Sequence, residues 1–151
     1  MKLLSELFIK LNNNLKYKKL KNLKNLMKEY NGSDWKEHIL YNKDTYNRNI
    51  IFKNNTIEMI IISWNNNQKS GIHDHPENGC LMKILKGELD EHIYKHIDLE
   101  NKFISKCESK EGSVRYIEGK NGLHNIVNKD NKTVTLHIYS PPNYISTKYK
   151  D

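Results

Sequence analysis

Apolar residues in the first forty positions recur every three or four residues, the spacing that puts them on one face of a helix. The pattern predicts a first helix over residues 3–11, interrupted by the asparagines at 12–14. It predicts a second helix over residues 15–30 that ends at Asn31-Gly32. Asp34 followed by Glu37 resembles a capping box and predicts a short third helix over residues 35–40.

From residue 47 onward the period changes to two and β-branched residues become frequent, which is typical of strands. We predict strands over residues 48–53, 56–64, 80–86, 88–95, 102–107, 113–118, 123–128 and 132–140. Turn residues separate them at steady intervals, as in a small β-barrel or sandwich. The sequence therefore predicts a mainly β protein with one domain over 1–151. Its helical segment at 1–42 packs on one side of a β-barrel core at 46–142.

The segment Gly71-Ile72-His73-Asp74-His75-Pro76 offers two imidazoles separated by one residue. On an extended chain such residues point the same way, so both can occupy adjacent positions around one metal ion. Histidine is the commonest metal ligand, and a metal pair at the mouth of a β-structure is the functional interpretation. The alternative is a chance surface pair in a chain with 7 histidines.

A catalytic metal needs at least one more ligand and must leave positions open for substrate. His124 is the best candidate, because it follows a turn glycine at the start of a strand. The other histidines fit less well. His38 lies in a predicted helix, while His92 and His96 lie among charged residues on a strand that we expect to face solvent.

The last predicted strand has one apolar face and one polar, aromatic face, the latter made of Thr133, Thr135, His137 and Tyr139. Polar groups that point into a small barrel are costly unless they are hydrogen-bonded or bind something. The polar face is therefore a candidate lining for a binding site. The alternative is an edge strand with one face exposed to solvent.

Composition and charge narrow the class of protein. The 151 residues suffice for a domain with a core, and the net charge of +7 favours anionic partners. The basic residues are dispersed, so nucleic-acid binding through the lysine-rich helix at 16–28 ranks last among the functions considered. We expect the lysine-rich face of that helix to be solvated instead. Two cysteines make no disulfide framework, no apolar stretch approaches a membrane span, and polar residues interrupt any signal peptide. We expect a soluble, cytoplasmic protein with no nucleic-acid or membrane partner.

Five blocks of the sequence carry a more specific pattern. They are residues 46–49 (Tyr-Asn-Arg-Asn), Trp64, residues 72–75 (Ile-His-Asp-His) with Cys80 five residues on, residues 122–124 (Gly-Leu-His) and residues 136–142 (Leu-His-Ile-Tyr-Ser-Pro-Pro). In this order they resemble the cysteine dioxygenase type I family, thiol dioxygenases of the cupin superfamily. The resemblance implies a cupin-type, jelly-roll-like barrel and a monomer.

The resemblance also implies a metal centre. Cysteine dioxygenases hold one Fe(II) with three histidines and no carboxylate, which here correspond to His73, His75 and His124. Three neutral ligands leave the iron its full positive charge, suited to binding a thiolate. The implied reaction takes L-cysteine and O2 and gives cysteine sulfinic acid.

The remaining site residues implied by the resemblance surround the substrate. Arg48 would clamp the substrate carboxylate, for which a planar guanidinium is well suited. Tyr46 and Tyr139 would add hydroxyl contacts. His137 would hydrogen-bond Tyr139 and position it beside the iron.

Cys80 and Tyr139 match a pair that forms a thioether crosslink in the animal-type enzymes, a self-generated cofactor. The alternative for Cys80 is a small buried hydrophobic residue, which is the usual fate of a free cysteine. Cys107 has no matching role. The family also suggests a cis peptide bond before Pro141, and the end of the chain at Asp151 leads us to expect a more open pocket than in animal members.

Two alternatives to a cysteine dioxygenase stay open at this point. The first is a dioxygenase of 3-mercaptopropionate or another small thiol, against which Arg48 and Cys80 argue. The second is a non-catalytic cupin with a vestigial metal site, against which the intact Arg48, His137 and Tyr139 argue.

Overall fold

The computed structural model, which describes residues 1–150, places short helices before a β-structure of two sheets. Helix α1 spans Leu4–Asn14 and α2 spans Lys24–Glu29, with 3₁₀ turns at Leu20–Leu23 and Asp34–His38. The strands are β1 (Asn47–Lys53), β2 (Glu58–Trp64), β3 (Ile72–His73), β4 (Cys80–Lys86), β5 (Glu88–Ile97), β6 (Glu100–Lys110), β7 (Val114–Ile117), β8 (Leu123–Asn128), β9 (Thr133–Tyr139) and β10 (Lys148–Tyr149). Strands β3 and β10 were not predicted, and the other eight correspond to the predicted ones.

The first two predicted helices both differ from the observed ones, and the predicted third helix over 35–40 is the 3₁₀ turn at Asp34–His38. Helix α1 continues through the asparagines at 12–14, and the side chain of Asn14 donates to the carbonyl of Lys10 at 2.8 Å. The predicted helix over 15–30 is instead a 3₁₀ turn followed by the short α2. No helix within residues 1–150 has both the length and the apolar character needed to cross a membrane.

The predicted capping box at Asp34 is wrong. The 3₁₀ turn that begins at Asp34 has no side-chain cap, and the Asp34 carboxylate instead accepts hydrogen bonds from the backbone of Leu4, at 2.8 Å, and from the hydroxyl of Tyr30. Helix α1 begins after an apolar residue, Leu3, so a carboxylate from a distant turn satisfies one of its free N–H groups.

Two antiparallel sheets face each other, with strand orders β1-β2-β9-β4-β7 and β10-β3-β8-β5-β6. They do not join into a closed barrel, so the predicted barrel is a jelly-roll-like sandwich. Apolar side chains from both sheets meet between them, among them Ile62, Met82, Leu89 and Ile126. The polar face of β9 also points into this interior.

Strand β9 lies between β2 and β4, and all seven of its residues are buried, so the alternative of a wetted edge strand is wrong. Leu136 and Ile138 on its outer face pack against the helices, together with Leu7 and Leu11 of α1. Fully burying one such side chain stabilises the fold by roughly 1.5–3 kcal/mol. The apolar contact with the helices therefore holds the opposite, polar face of β9 in place.

A buried lysine also ties the sheet to the helices. Lys83 on β4 is 6% exposed, and its ammonium donates to the backbone carbonyls of Met27, Lys28 and Tyr30 at the end of α2. A cation at a helix C-terminus satisfies carbonyls that have no partner within the helix.

Candidate metal centre and substrate pocket

Strands β3 and β8 bring three histidines together. His73 and His124 are direct partners in the antiparallel register, and His75 follows two residues after His73. The centroids of the three rings lie 4.3–4.9 Å apart. The structure thus brings together the three residues that the sequence suggested as ligands, while His38, His92 and His96 lie elsewhere.

Backbone and carboxylate acceptors fix the orientation of each ring. Nδ1 of His73 lies 2.8 Å from the carbonyl of Gly71, and Nδ1 of His75 lies 2.6 Å from the carbonyl of Gly122. Nδ1 of His124 lies 2.7 Å from Oε2 of Glu91. Since carbonyl and carboxylate oxygens only accept, each Nδ1 donates, and each neutral ring keeps its lone pair on Nε2.

The three Nε2 atoms face one another. Nε2 of His124 lies 2.9 Å from Nε2 of His75 and 3.2 Å from Nε2 of His73. Three converging lone pairs repel one another unless a cation lies between them. Two ligand nitrogens at about 2.1 Å from one ion and about 90° apart are about 3.0 Å from each other. The donor set therefore fits a metal ion held on one face, with its other positions open.

Burial keeps His73 and His75 neutral. Burial, followed by the electrostatic effect of His124, lowers the pKa of His73 from its ordinary 6.5 to about 3. The same causes lower the pKa of His75 further. Metal binding requires the neutral imidazole, so near pH 7 protons do not compete with a metal ion for these two rings.

Glu91 is a site residue that the sequence interpretation missed, because it placed this stretch on a solvent-facing strand. Glu91 is 1% exposed and accepts hydrogen bonds from Nδ1 of His124 and, at 3.0 Å, from Nε of Arg115 on β7. Burial raises the pKa of the Glu91 carboxyl, but the contacts with His124 and Arg115 outweigh this and hold it below its ordinary value. Glu91 is therefore ionised near neutral pH.

The polar face of β9 forms a hydrogen-bonded row. The indole of Trp64 donates to Oγ1 of Thr135 at 2.9 Å, and Oγ1 lies 2.8 Å from Nε2 of His137. Nδ1 of His137 lies 3.3 Å from the Tyr139 hydroxyl. Burial lowers the pKa of His137 well below its ordinary value, so the ring is neutral. The hydroxyls of Thr135 and Tyr139 thus each form a hydrogen bond with one nitrogen of this neutral ring.

Cys80 on β4 and Tyr139 on β9 are direct register partners. The Cys80 thiol is 3.7 Å from Nδ1 of His137 and is not paired with the other cysteine, Cys107. Burial raises the pKa of the thiol and of the Tyr139 hydroxyl, so both are protonated. The peptide bond before Pro141, just beyond this pair, is cis, as expected.

A cavity of about 250 Å³ opens beside the histidines. Its lining includes Arg48, whose guanidinium carbon lies 5.7 Å from the centre of the Tyr139 ring, and Tyr46, whose ring stacks on Trp64 at 4.5 Å. His73, His124, His137 and Tyr139 also line it. The cavity therefore places a cation and two phenol rings within one space with the histidine cluster.

The C-terminal segment forms the outer wall of this cavity, through Tyr144, Ile145, Ser146 and Lys148. Buried Asp74, between the two histidines of the motif, holds the segment in place. Its Oδ1 accepts from the Tyr144 hydroxyl at 2.9 Å and from the backbone of Thr147 at 2.8 Å. No periodic pattern marks this segment, so periodicity could not predict it.

Comparison with known protein families gives a match over nearly the whole chain. The family model for cysteine dioxygenase type I matches residues 3–151. The chain belongs to the cysteine dioxygenase type I family. The family match includes all three histidines, Arg48 and the Cys80 and Tyr139 pair within its span.

Two relatives illustrate how much of the family the chain covers. Cysteine dioxygenase type 1 of Rattus norvegicus is 32% identical over 120 residues, which cover 76% of this chain and 60% of that protein. Cysteine dioxygenase type 1 of Danio rerio is 32% identical over 129 residues, covering 80% and 64%. The chain thus spans less than two thirds of the length of these curated relatives.

Solved structures agree with the fold. A protein with a double-stranded β-helix domain from Klebsiella pneumoniae superposes with a TM-score of 0.63 at 15% identity, covering 77% of this chain and 88% of that one. A cupin superfamily protein from Desulfitobacterium hafniense superposes with a TM-score of 0.58 at 14% identity, covering 73% and 90%. The predicted cupin-type architecture is confirmed.

Proposed function

We propose that this protein is an Fe(II)-dependent cysteine dioxygenase that oxidises L-cysteine with O2 to cysteine sulfinic acid. The observation that carries the proposal is the convergence of the Nε2 atoms of three histidines beside a cavity that also holds Arg48. Membership of the cysteine dioxygenase type I family supports the reaction class. We include a monomeric state in this proposal.

His73, His75 and His124 are the proposed iron ligands. Each would supply one Nε2 lone pair as a neutral ligand, so the ion would keep its double positive charge. Bound iron would supply a Lewis-acidic, redox-active centre for the thiol and O2. The walls of the cavity then have the tasks of holding the substrate and limiting access of water.

Arg48 is the proposed carboxylate partner of the substrate. Its guanidinium can bind a carboxylate through two parallel hydrogen bonds, which fixes both the position and the direction of a small amino acid. Stacking of Tyr46 on Trp64 directs the phenol of Tyr46 into the same cavity. A substrate held at its carboxylate by Arg48 presents its thiol toward the histidines.

His137 and Tyr139 are proposed to hold a proton-bearing hydroxyl next to the reacting sulfur. The neutral His137 fixes the orientation of the Tyr139 hydroxyl, which stays protonated because it is buried. A protonated phenol can donate a hydrogen bond to an oxygen that develops negative charge during the reaction.

Cys80 and Tyr139 are also the proposed thioether pair. The bond would join Sγ to the ring carbon next to the hydroxyl, with loss of the thiol hydrogen and of one ring hydrogen. O2, the co-substrate of the proposed reaction, accepts the electron pair and both protons. The direct register of the two residues across β4 and β9 supports this pairing.

Oxygen uptake by protein loaded anaerobically with Fe(II) tests the proposal. L-cysteine, 3-mercaptopropionate and cysteamine are supplied in parallel, and the sulfinate product is identified by mass. We expect uptake with L-cysteine that His124→Ala abolishes, whereas the matched control His96→Ala, at an exposed position, retains it. Faster turnover of 3-mercaptopropionate would contradict the substrate assignment. No oxygen uptake with any thiol, despite stoichiometric iron, would contradict the proposal that this protein is a thiol dioxygenase.

A further inference from the structure

The three histidines differ in what their Nδ1 groups donate to. His73 and His75 donate to backbone carbonyls, which are neutral acceptors, whereas His124 donates to the carboxylate of Glu91. A carboxylate acceptor fixes the tautomer and ring orientation of a histidine and raises the basicity of its other nitrogen. The three ligand positions are therefore not equivalent electrostatically.

Glu91 is itself held from the opposite sheet. Its Oε2 faces His124 on the neighbouring strand β8, while its Oε1 accepts from Arg115 on β7 of the other sheet. Its side chain is 2% exposed and that of Arg115 is 37% exposed. A buried carboxylate needs such partners, because without them its desolvation would cost several kcal/mol. Both carboxylate oxygens of Glu91 thus accept a hydrogen bond, which holds the side chain against His124.

This contact is directed at the metal cluster. Donation from Nδ1 of His124 to Glu91 leaves the lone pair on Nε2, and that Nε2 is the atom closest to both other histidines, at 2.9 and 3.2 Å. An ion pair that served only to join the sheets would need Arg115 and Glu91 but no histidine. The hydrogen bond to His124 is the shorter of the two that Glu91 accepts, 2.7 against 3.0 Å.

We propose that Glu91, held by Arg115, is a positioning residue that fixes His124 in the Nδ1–H tautomer and makes it the strongest of the three metal ligands. The inference rests on the proposed metal site but not on the proposed substrate. Glu91 does not touch the metal or the substrate and acts through His124. Its contribution is therefore expected in metal affinity and in the protonation pattern of the ring.

Two measurements test this role. The first is the dissociation constant for Co(II), titrated anaerobically into metal-free protein. Glu91→Leu, which removes the acceptor, should weaken Co(II) binding by about 10- to 100-fold. Glu91→Gln keeps an amide oxygen that can accept from His124 but loses the charge, so we expect a smaller loss. Arg115→Met leaves the carboxylate and should lose less than Glu91→Leu.

The second measurement reads the tautomer without any metal. Long-range proton–nitrogen NMR spectra of the metal-free protein distinguish a ring protonated at Nδ1 from one protonated at Nε2. We expect the His124 ring of the wild type to be protonated at Nδ1, and Glu91→Leu to shift part of the population to Nε2. A purely structural role of Glu91 would not move this signal.

Glu108→Gln is the matched control. Glu108 lies on β6 of the same sheet, is exposed, and pairs with Lys129 rather than with a histidine. It should leave both the Co(II) affinity and the His124 signal unchanged. If Glu91→Leu is folded by circular dichroism and binds Co(II) as tightly as the wild type, the inference is wrong. A wild-type His124 ring protonated at Nε2 would also overturn it. A wild type that binds no Co(II) would overturn the proposed metal site, and the NMR readout would still decide the role of Glu91.

Discussion

The neutral state of His73 predicts how acid destabilises the metal-free protein. The pKa of His73 is lowered from 6.5 to about 3, first by burial and then by the effect of His124. The unfolded chain therefore binds a proton at His73 in a pH range where the folded protein does not. The stability contributed by the neutral ring is fully present above pH 6.5 and is lost as the pH falls from 6.5 toward 3.

The expected size follows from the same shift. One pKa unit corresponds to about 1.4 kcal/mol, and a pH of about 4.5 lies about two units below the ordinary histidine value. His73 should therefore account for about 2–3 kcal/mol of lost stability between about pH 7 and pH 4.5. This is a large part of the 5–15 kcal/mol that stabilises a typical domain.

Urea unfolding of chelator-treated protein at a series of pH values measures this loss. His73→Asn cannot take up the proton, so its free energy of unfolding should fall less steeply with acid than that of the wild type. His96→Asn, which removes an exposed histidine, shows what loss of any imidazole does to the slope. Equal slopes for His73→Asn and the wild type would refute the reasoning.

Three further outcomes follow from contacts described above. Arg48→Gln should raise KM for L-cysteine by about 10- to 100-fold with a smaller change in kcat, since it removes a charged hydrogen bond to the carboxylate. Steady-state kinetics of sulfinate formation measure both constants, and an unchanged KM would contradict this role. Cys80→Ala should abolish the mass deficit of the crosslinked protein in intact mass spectra, whereas Cys107→Ala should keep it; a deficit that survives Cys80→Ala places the modification elsewhere. Lys83→Met leaves carbonyls at the end of α2 without a donor and should lower the free energy of unfolding in urea by about 1–3 kcal/mol. Lys86→Met, at an exposed position of the same strand, should lower it little. Equal effects of the two substitutions would contradict the capping role of Lys83.

The strand pattern predicted much of the fold because the sequence distinguishes the two faces of the central strands. On β9, apolar Leu136 and Ile138 alternate with His137 and Tyr139, so the register follows once one face is buried. The histidine pair was equally readable, because residues two apart share a face on any extended segment. That these groups surround one cavity required the pairing of β3 with β8, which local periodicity does not encode.

The site role of Glu91 could not be predicted from the sequence, for a physical reason. On β5 both faces carry charged residues, so alternation cannot tell which face is interior. The burial of Glu91 depends on Arg115 and His124, which are 24 and 33 residues away along the chain. The second helix was misjudged for a related reason. Leu20, Leu23 and Leu26 are three residues apart, a spacing that suits a 3₁₀ turn as well as an α-helix.

The placement of β1 and β10 at the edges of their sheets bears on how this scaffold can change over evolution. Arg48 on β1 and Lys148 on β10 line the cavity from these margins, whereas His137 and Tyr139 stand on the central strand β9. An edge strand pairs on one side, so it tolerates substitution and insertion more readily than a central strand does. If the proposed function holds, Arg48, which would select among small thiols, can therefore diverge while the hydrogen-bonded residues on β9 stay unchanged. Substrate choice could then evolve separately from the chemistry.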